Sequence, residues 1–466
     1  MGILGNSIAE VKLPGKVDRK EINMSYVQYI MHNNIKVIQR IQQGENSSIK
    51  ILEPDFAPVN FLNAKKLDEQ WVQFVSERVP ILTDKNLQVV KDYFHKKFDK
   101  QLSCMSEDLQ KVAMHNLIAN EFYGTSVSDN FWIATNNEPE YINYEDIDPK
   151  KHELKEICRH PNLSIEMSMQ NELATEKSLS MNYKNGATYK IWKHDDKDNV
   201  TLYKRGNLQD AKKEVTVSKF LDFTNIDHVQ YNLISDTCCK CQNIANDDVS
   251  LISGNDVFSY CVRNDINYDT FTAALDQDMY YATKVIDFLI DNSDRTIYNQ
   301  GFLRDNETGY IMGIQPLFDH GDAFDKELME QDKLSEEYQK RLKIAKNALK
   351  HIDIKLDIRA FTSIENPEWR KSVIEKSKEL GIIIEKEKTF LHPASLQISP
   401  IYQLDLSQDN DREFPAQSYS VAEKSFVYDD LDNELFATEQ ETELLNHTIE
   451  KNKEINRDEN RDDFER

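Results

Sequence analysis

The sequence predicts an α+β fold of two lobes, preceded by an accessory domain and followed by an acidic tail. Three observations carry this. At 466 residues the chain is too long for one ordinary core. A glycine-containing strand hairpin near residue 190 is followed by apolar residues at helical spacing over 210–223, and again over 271–290. From about residue 404 onward, apolar residues give way to Asp, Glu, Asn and Gln. The partition is 1–24 flexible N-terminus, 25–158 accessory domain, 159–245 first lobe, 246–403 helical second lobe and 404–466 disordered tail.

Composition narrows the function. Hydrophobic residues at 39%, with 10% aromatic, suffice for such cores. A net charge of −24 argues against direct nucleic-acid binding, which clustered Lys and Arg drive, and equally against an anionic membrane surface. A locally positive nucleotide pocket stays compatible with that charge. Six irregularly spaced cysteines and no secretory h-region point to a reducing cytoplasm rather than a disulfide framework. No apolar run approaches membrane-spanning length. The start, Met1 to Ser7, is close to a myristoylation signal, but Asn6 stands where Ser or Thr is wanted, so it reads as a flexible start.

Taken in order, residues 25–62 alternate short apolar runs with polar turns, predicting a small strand-rich element. Residues 67–75 read as helix. Leu87, Val90, Tyr93 and Phe94, then Leu109, Val112, Leu117 and Ile118, recur at helical spacing. In the first lobe, Asn185-Gly186-Ala187-Thr188-Tyr189-Lys190 forms a loop entering a strand, where small residues let backbone amides approach phosphate oxygens. A second strand, 200–206, carries Lys204 near its end. The following helix buries Val215, Val217, Phe220 and Leu221 and contains Glu214, which by order alone is the carboxylate to pair with a phosphate-contacting lysine; an exposed helix glutamate is the other reading. Residues 228–233 read as a strand leading to an interlobe hinge around Cys238, Cys239 and Cys241. Those cysteines lack the second ligand pair that zinc needs and read as small buried hydrophobes.

The second lobe holds the chemistry. Asp294 and Asn299 stand as Asp-x-x-x-x-Asn after an apolar helix, and Asp319 follows within Pro-Leu-Phe-Asp-His-Gly. Alone, such a pair is ordinary turn chemistry. In this context it fits phosphoryl transfer: Asp294 as the base for a hydroxyl, with Arg295 holding the loop, and Asn299 with Asp319 supplying hard oxygens to magnesium. Gly301 would turn the backbone into the strand Phe302-Leu303. Beyond it, Leu334, Tyr338, Leu342, Ala345 and Leu349 mark one helix and 372–380 another.

Asn292, Asp294, Arg295, Asn299 and Gly301, with Pro316, Phe318, Asp319 and Gly321, resemble the catalytic segment of the HipA-like serine/threonine kinases. Thr296 stands where that family usually has His, and Asp322 where a small polar residue is common. The stretch 123–133 is similar to one that a bacterial subgroup of the family carries ahead of the kinase; Ser126, Ser128, Asp129, Trp132 and Ile133 match best, and buried aromatics at a domain boundary explain it equally well. The resemblance implies a bilobal protein-kinase-like fold, ATP with magnesium, and Ser/Thr phosphorylation of a protein in growth control or a toxin-antitoxin setting. It implies that Lys204 contacts nucleotide phosphates, that Gly186, Ala187, Thr188 and Lys190 lie in the phosphate-loop region, and that Ser178 or Ser180 is autophosphorylated. The alternatives are a kinase-like binding module recruiting a regulatory protein partner and a small-molecule kinase.

Overall fold

A computed structural model of the chain describes residues 26–43, 46–78, 84–103, 106–160, 162–164, 189–194 and 200–385. Residues 1–25, Ser178, Ser180, Gly186, Ala187, Thr188 and the tail from 404 lie outside the described residues.

Strands β1 (Tyr26–His32), β2 (Ile35–Gln43), β3 (Asn46–Ile51) and β4 (Phe131–Thr135) form one antiparallel sheet in the order β3-β2-β1-β4. Side chains alternate across it, so the sheet is buried on both faces. Met31, Trp132 and Ala134 face Phe94, Ile118 and Phe122, which come from α2 (Asp84–Leu102), α3 (Glu107–Glu121) and the residue just beyond it. Ile30, Phe131 and Ile133 face the other way, toward Trp71, Phe74 and Val75 of α1 (Leu67–Ser76). Trp132 is fully buried and its Nε1 donates to the Asn33 carbonyl at 2.6 Å. Truncating it to alanine would cost about 3–5 kcal/mol.

That second face is not closed by the first 158 residues alone. The same core takes in Ile252 of β9 (Val249–Ser253), Val257, Tyr260 and Cys261 of α5 (Gly254–Arg263), Phe271 and Leu275 of α6 (Tyr268–Leu275), Phe302 of β10 (Gly301–Asp305) and Ile311 of β11 (Ile311–Ile314). Strands β11, β10 and β9 form an antiparallel sheet of their own. The accessory segment is therefore fused to the second lobe through apolar burial.

The first lobe is an antiparallel sheet in the order β5-β6-β8-β7, made of β5 (Tyr189–His194), β6 (Val200–Arg205), β7 (Asn232–Ser235) and β8 (Cys238–Gln242). Helix α4 (Leu208–Leu221) packs Ala211 and Val215 against Tyr231, Cys239 and Cys241. Two expectations are corrected here. The strand expected at 228–233 begins only at Asn232, because Val229 N instead donates to the Leu317 carbonyl at 2.8 Å and joins the segment leading to Asp319. The three cysteines lie not at a hinge but in β8, with Cys239 paired opposite Lys204. Residues 243–248 join β8 to β9.

Helix α7 (Gln277–Leu289) is separated from α6 at Asp276, whose carboxylate caps it by accepting from Met279 N at 3.1 Å. It buries Ala282, Val285, Ile286 and Leu289 against Phe324, Leu356 and Phe361. Beyond Asp319 come the short α8 (Lys326–Met329), α9 (Glu336–Ala348), α10 (Ile358–Ser363) and α11 (Pro367–Leu380), with β12 (Leu356–Asp357) and β13 (Ile384–Glu385) paired in parallel. Helix α11 starts five residues before the expected 372, where Asn366 caps it and Pro367 takes the first turn. Among the described residues no helix is long and apolar enough to cross a membrane.

Candidate active site

The candidate site is assembled from β5, β6, α4, the turn after α7 and the segment after β11. Lys190 and Lys204 are directly paired across β5 and β6, so both ammoniums leave the same face of the sheet. Both reach Asp319: Lys204 Nζ lies 2.6 Å from Oδ1 and Lys190 Nζ 3.2 Å from Oδ2. Lys204 also pairs with Glu214, the buried one of the two acidic residues of α4. The other Glu214 oxygen accepts from His320 N at 2.9 Å, which pins the helix to the residue after Asp319.

The charges follow from this geometry. Burial works against the Lys204 ammonium, but Glu214 and Asp319 outweigh it, and its pKa is raised. Asp319 is opposed by burial too, yet Lys204 and then Lys190 hold its carboxyl well below the usual range. Glu214 bears the cost of desolvation and is pushed up, against the pull of Lys204.

The loop after α7 is built on two buried anchors. Asp291, at φ 48° and fully buried, receives Arg341 at 3.1 Å, Ser372 at 3.1 Å and the Lys376 ammonium, tying α9 and α11 to the turn. Arg295 is the second anchor. Its guanidinium grips Asp287 of α7 at 3.1 Å and donates to the Asn299 carbonyl at 2.8 Å and the Phe318 carbonyl at 2.9 Å. His320 Nδ1 accepts a further bond from it at 3.3 Å, an arrangement that needs a neutral imidazole; burial and then the Arg295 charge hold that histidine's pKa well below its ordinary value. Burial opposes the Arg295 charge, but Asp287 prevails and its pKa is raised. Arg295, expected to hold the loop, faces inward and binds it to the Asp319 segment.

Between the anchors, Asp294 is exposed. Asn299 Nδ2 donates to the Asp294 carbonyl at 2.6 Å and to its Oδ2 at 2.8 Å. Partial burial pushes the Asp294 carboxyl up, Asn299 opposes this, and Asp322 and Asp319 add to the rise. Thr296 caps the short 3-10 turn Ile297–Asn299, its hydroxyl accepting from Tyr298 N at 3.3 Å. Gly301 lies within β10 and makes no sharp turn, and an added Cβ would meet only the end of the flexible Gln315 side chain. Gly254 matters for space: α5 starts with its N donating to the Gln300 carbonyl at 3.0 Å, and a Cβ would overlap the Ile297 carbonyl oxygen.

The donor set suits magnesium. With Asn299 Nδ2 committed to Asp294, its side-chain oxygen is the atom left for a hard cation, while the ionised Asp319 carboxylate is paired with Lys204 and Lys190, one of which a cation would displace. Among the described residues no three His, Cys, Asp or Glu side chains cluster as a metal cage, and one carboxylate with one amide does not amount to such a cage. The sequence anticipated Lys190, Lys204, Glu214, Asp294, Arg295, Asn299 and Asp319, and the structure gathers all seven. It missed Asp287, Asp291, His320 and Gly254, for which an acid in an apolar helix and a glycine opening a helix were the available signals.

No family model and no curated protein matches the chain. Among solved structures it is similar to the proinflammatory kinase CtkA of Helicobacter pylori, at 13% identity and a TM-score of 0.30, covering 41% of this chain and 92% of that one. It is also similar to Shewanella oneidensis MR-1 HipA, solved with HipB and operator DNA, at 10% identity and a TM-score of 0.37, covering 76% of this chain and 95% of that one. Scores of this size do not establish a shared fold.

Proposed function

We propose that the chain is an ATP- and magnesium-dependent kinase that phosphorylates a Ser or Thr hydroxyl of a protein substrate. The observation that carries this is the single hydrogen-bonded path from Glu214 through Lys204 to Asp319, and from Phe318 through Arg295 to Asn299 and Asp294. Residues that would serve phosphoryl transfer lie along that path, which supports the reading.

Lys204, held by Glu214, offers its ammonium to the nucleotide phosphates, with Lys190 beside it. Asn299 and Asp319 would hold magnesium, which neutralises phosphate charge when bound. Asp294 orients the substrate hydroxyl and takes its proton as oxygen bonds to the γ-phosphorus and the bond to the ADP oxygen breaks. A carboxylate with a raised pKa is a better base than an ordinary aspartate. Arg295 touches none of the reacting groups and acts by positioning.

A binding module recruiting a protein partner is the second reading, favoured by the way both lysines are satisfied by Asp319 without any ligand. ATP turnover and autophosphorylation by wild type and Asp294→Ala separate the two. Activity in the wild type that is lost in the variant supports the kinase; a wild type as silent as the variant across several protein substrates supports the module.

A further inference from the structure

The connection between the lobes, residues 243–248, would in isolation be a six-residue pivot with two soft dihedrals per residue. It is instead bonded along its length. Asn306, buried just beyond β10, spends its backbone N–H and its side-chain amide N–H groups on this region. Its Nδ2 donates to the carbonyls of Asn246 at 3.3 Å and Asp247 at 3.0 Å, and its N to the Asp248 carbonyl at 2.8 Å. Its Oδ1 accepts from Ser250 at 2.6 Å, and its carbonyl accepts from His32 Nε2 at 2.9 Å. Burial pushes His32 down to about 4, so the ring is neutral and Nε2 carries its one proton.

The segment 127–130, singled out in the sequence but used by no step above, covers the other side. The Val127 carbonyl accepts from Asn243 Nδ2 at 2.7 Å, the Ser128 carbonyl from Leu251 N at 2.7 Å, and Asn130 Nδ2 reaches the Asp247 carbonyl at 3.4 Å. The segment is itself stiff: Asp129 is ion-paired with Arg78 at 2.5 Å, and Lys150 donates to Asn130 Oδ1 at 2.8 Å, which fixes the direction of that amide. A second contact reaches the first lobe directly, where His194 Nε2 at the end of β5 donates to the Pro149 carbonyl at 3.0 Å. The accessory segment shares an apolar core with the second lobe and bonds to the first lobe at His194 and to the connection at Asn243.

We propose that residues 127–130, with Asn243, form a brace that sets the angle between the lobes, and that Asn243 is a positioning residue for phosphoryl transfer; this positioning role rests on the phosphotransfer reading. The brace holds Lys190 and Lys204 of the first lobe at a fixed distance from Asn299 of the second. Its rupture at Asn243 loosens the connection, leaving the lysine–Asp319 and Glu214–His320 contacts as the remaining ties between the lobes.

The test uses the full chain with Asn243→Asp, which keeps the Oδ1 acceptor for Ala245 N and removes the donor to Val127, and His194→Ala as a second, independent break. Amide hydrogen exchange is read without nucleotide, and Mg–ATP affinity and turnover are read separately. Tyr338→Phe, which loses a bond to Glu379 far from the hinge, is the control for general destabilisation. The brace predicts exchange at 244–251 faster by about three- to ten-fold in Asn243→Asp, unchanged exchange in α9, and a KM for ATP raised by a similar factor in both variants. The control should leave 244–251 and KM as in wild type. Unchanged exchange at 244–251 overturns the brace. Faster exchange with unaltered KM in a wild-type background that turns over ATP overturns the positioning role. A wild type without ATP affinity overturns the phosphotransfer reading and the positioning role together, while the exchange data still decide the brace.

Discussion

Replacing Arg295 by lysine keeps the charge but removes the fork. In the structure the guanidinium serves Asp287, the carbonyls of Asn299 and Phe318, and His320 Nδ1 at once, and its side chain is only 7% exposed. A lysine ammonium on a straight stem can reach Asp287 or the two carbonyls, but not all of them in one plane. Keeping the Asp287 pair leaves two buried carbonyls and an imidazole nitrogen without their donor. At roughly 1 kcal/mol for each of the three lost bonds, Arg295→Lys should destabilise the chain by about 3 kcal/mol. That is a large share of the 5–15 kcal/mol typical of a folded domain. Arg295→Ala, which also leaves Asp287 unpaired, should cost about 3–5 kcal/mol. Urea unfolding followed by tryptophan fluorescence measures both, and ATP affinity is measured in parallel. Because Lys204, Glu214 and Asp319 remain joined, turnover should fall much more than ATP binding. Arg295→Lys as stable and as active as wild type would refute the assignment of Arg295 as the staple between the two loops.

Asp322 raises the Asp294 carboxyl, so removing its charge in Asp322→Asn should lower that pKa and move the acid limb of the turnover profile to lower pH; a limb that stays put or moves up counts against Asp294 as the base. Gly254→Ala should displace the Ile297 carbonyl and with it Asn299, lowering turnover and the unfolding midpoint together, which a thermal melt and an activity assay check. Asp291→Ala strands Arg341 and Lys376 without their carboxylate, and denaturant unfolding should show a loss of about 3–5 kcal/mol. Chelating divalent cations with EDTA should stop phosphate transfer, and adding magnesium should restore it.

What the sequence made legible depended on distance along the chain. Asp294 and Asn299 sit five residues apart, and Asp319 lies a hairpin later, so local spacing and order sufficed to single them out. Glu214 was found by order alone and is indeed turned onto Lys204, ten residues away. The helices were legible from their apolar period, and the start of α11 was signalled by Asn366-Pro367, a cap that outweighs apolar spacing. Long-range partners were not legible. Nothing local to Arg295 says that it will bridge Asp287 and Phe318, and nothing in β4 says that one of its faces will close a core with β9 and β10. The strand expected at 228–233 failed for the same reason, since its backbone groups had a competing partner at Leu317, almost ninety residues further on.

The account's central claim is that Lys190, Lys204, Asn299 and Asp319 meet one triphosphate, and calorimetric titration of ATP with and without magnesium tests it most directly. In Asp319→Asn the two lysines lose their carboxylate and one metal ligand is gone. The account predicts that metal-free ATP binds this variant at least as tightly as it binds wild type, while the gain from magnesium shrinks by more than about ten-fold, or 1.4 kcal/mol. An ATP affinity and magnesium dependence unchanged by the substitution would place the nucleotide elsewhere and contradict the account.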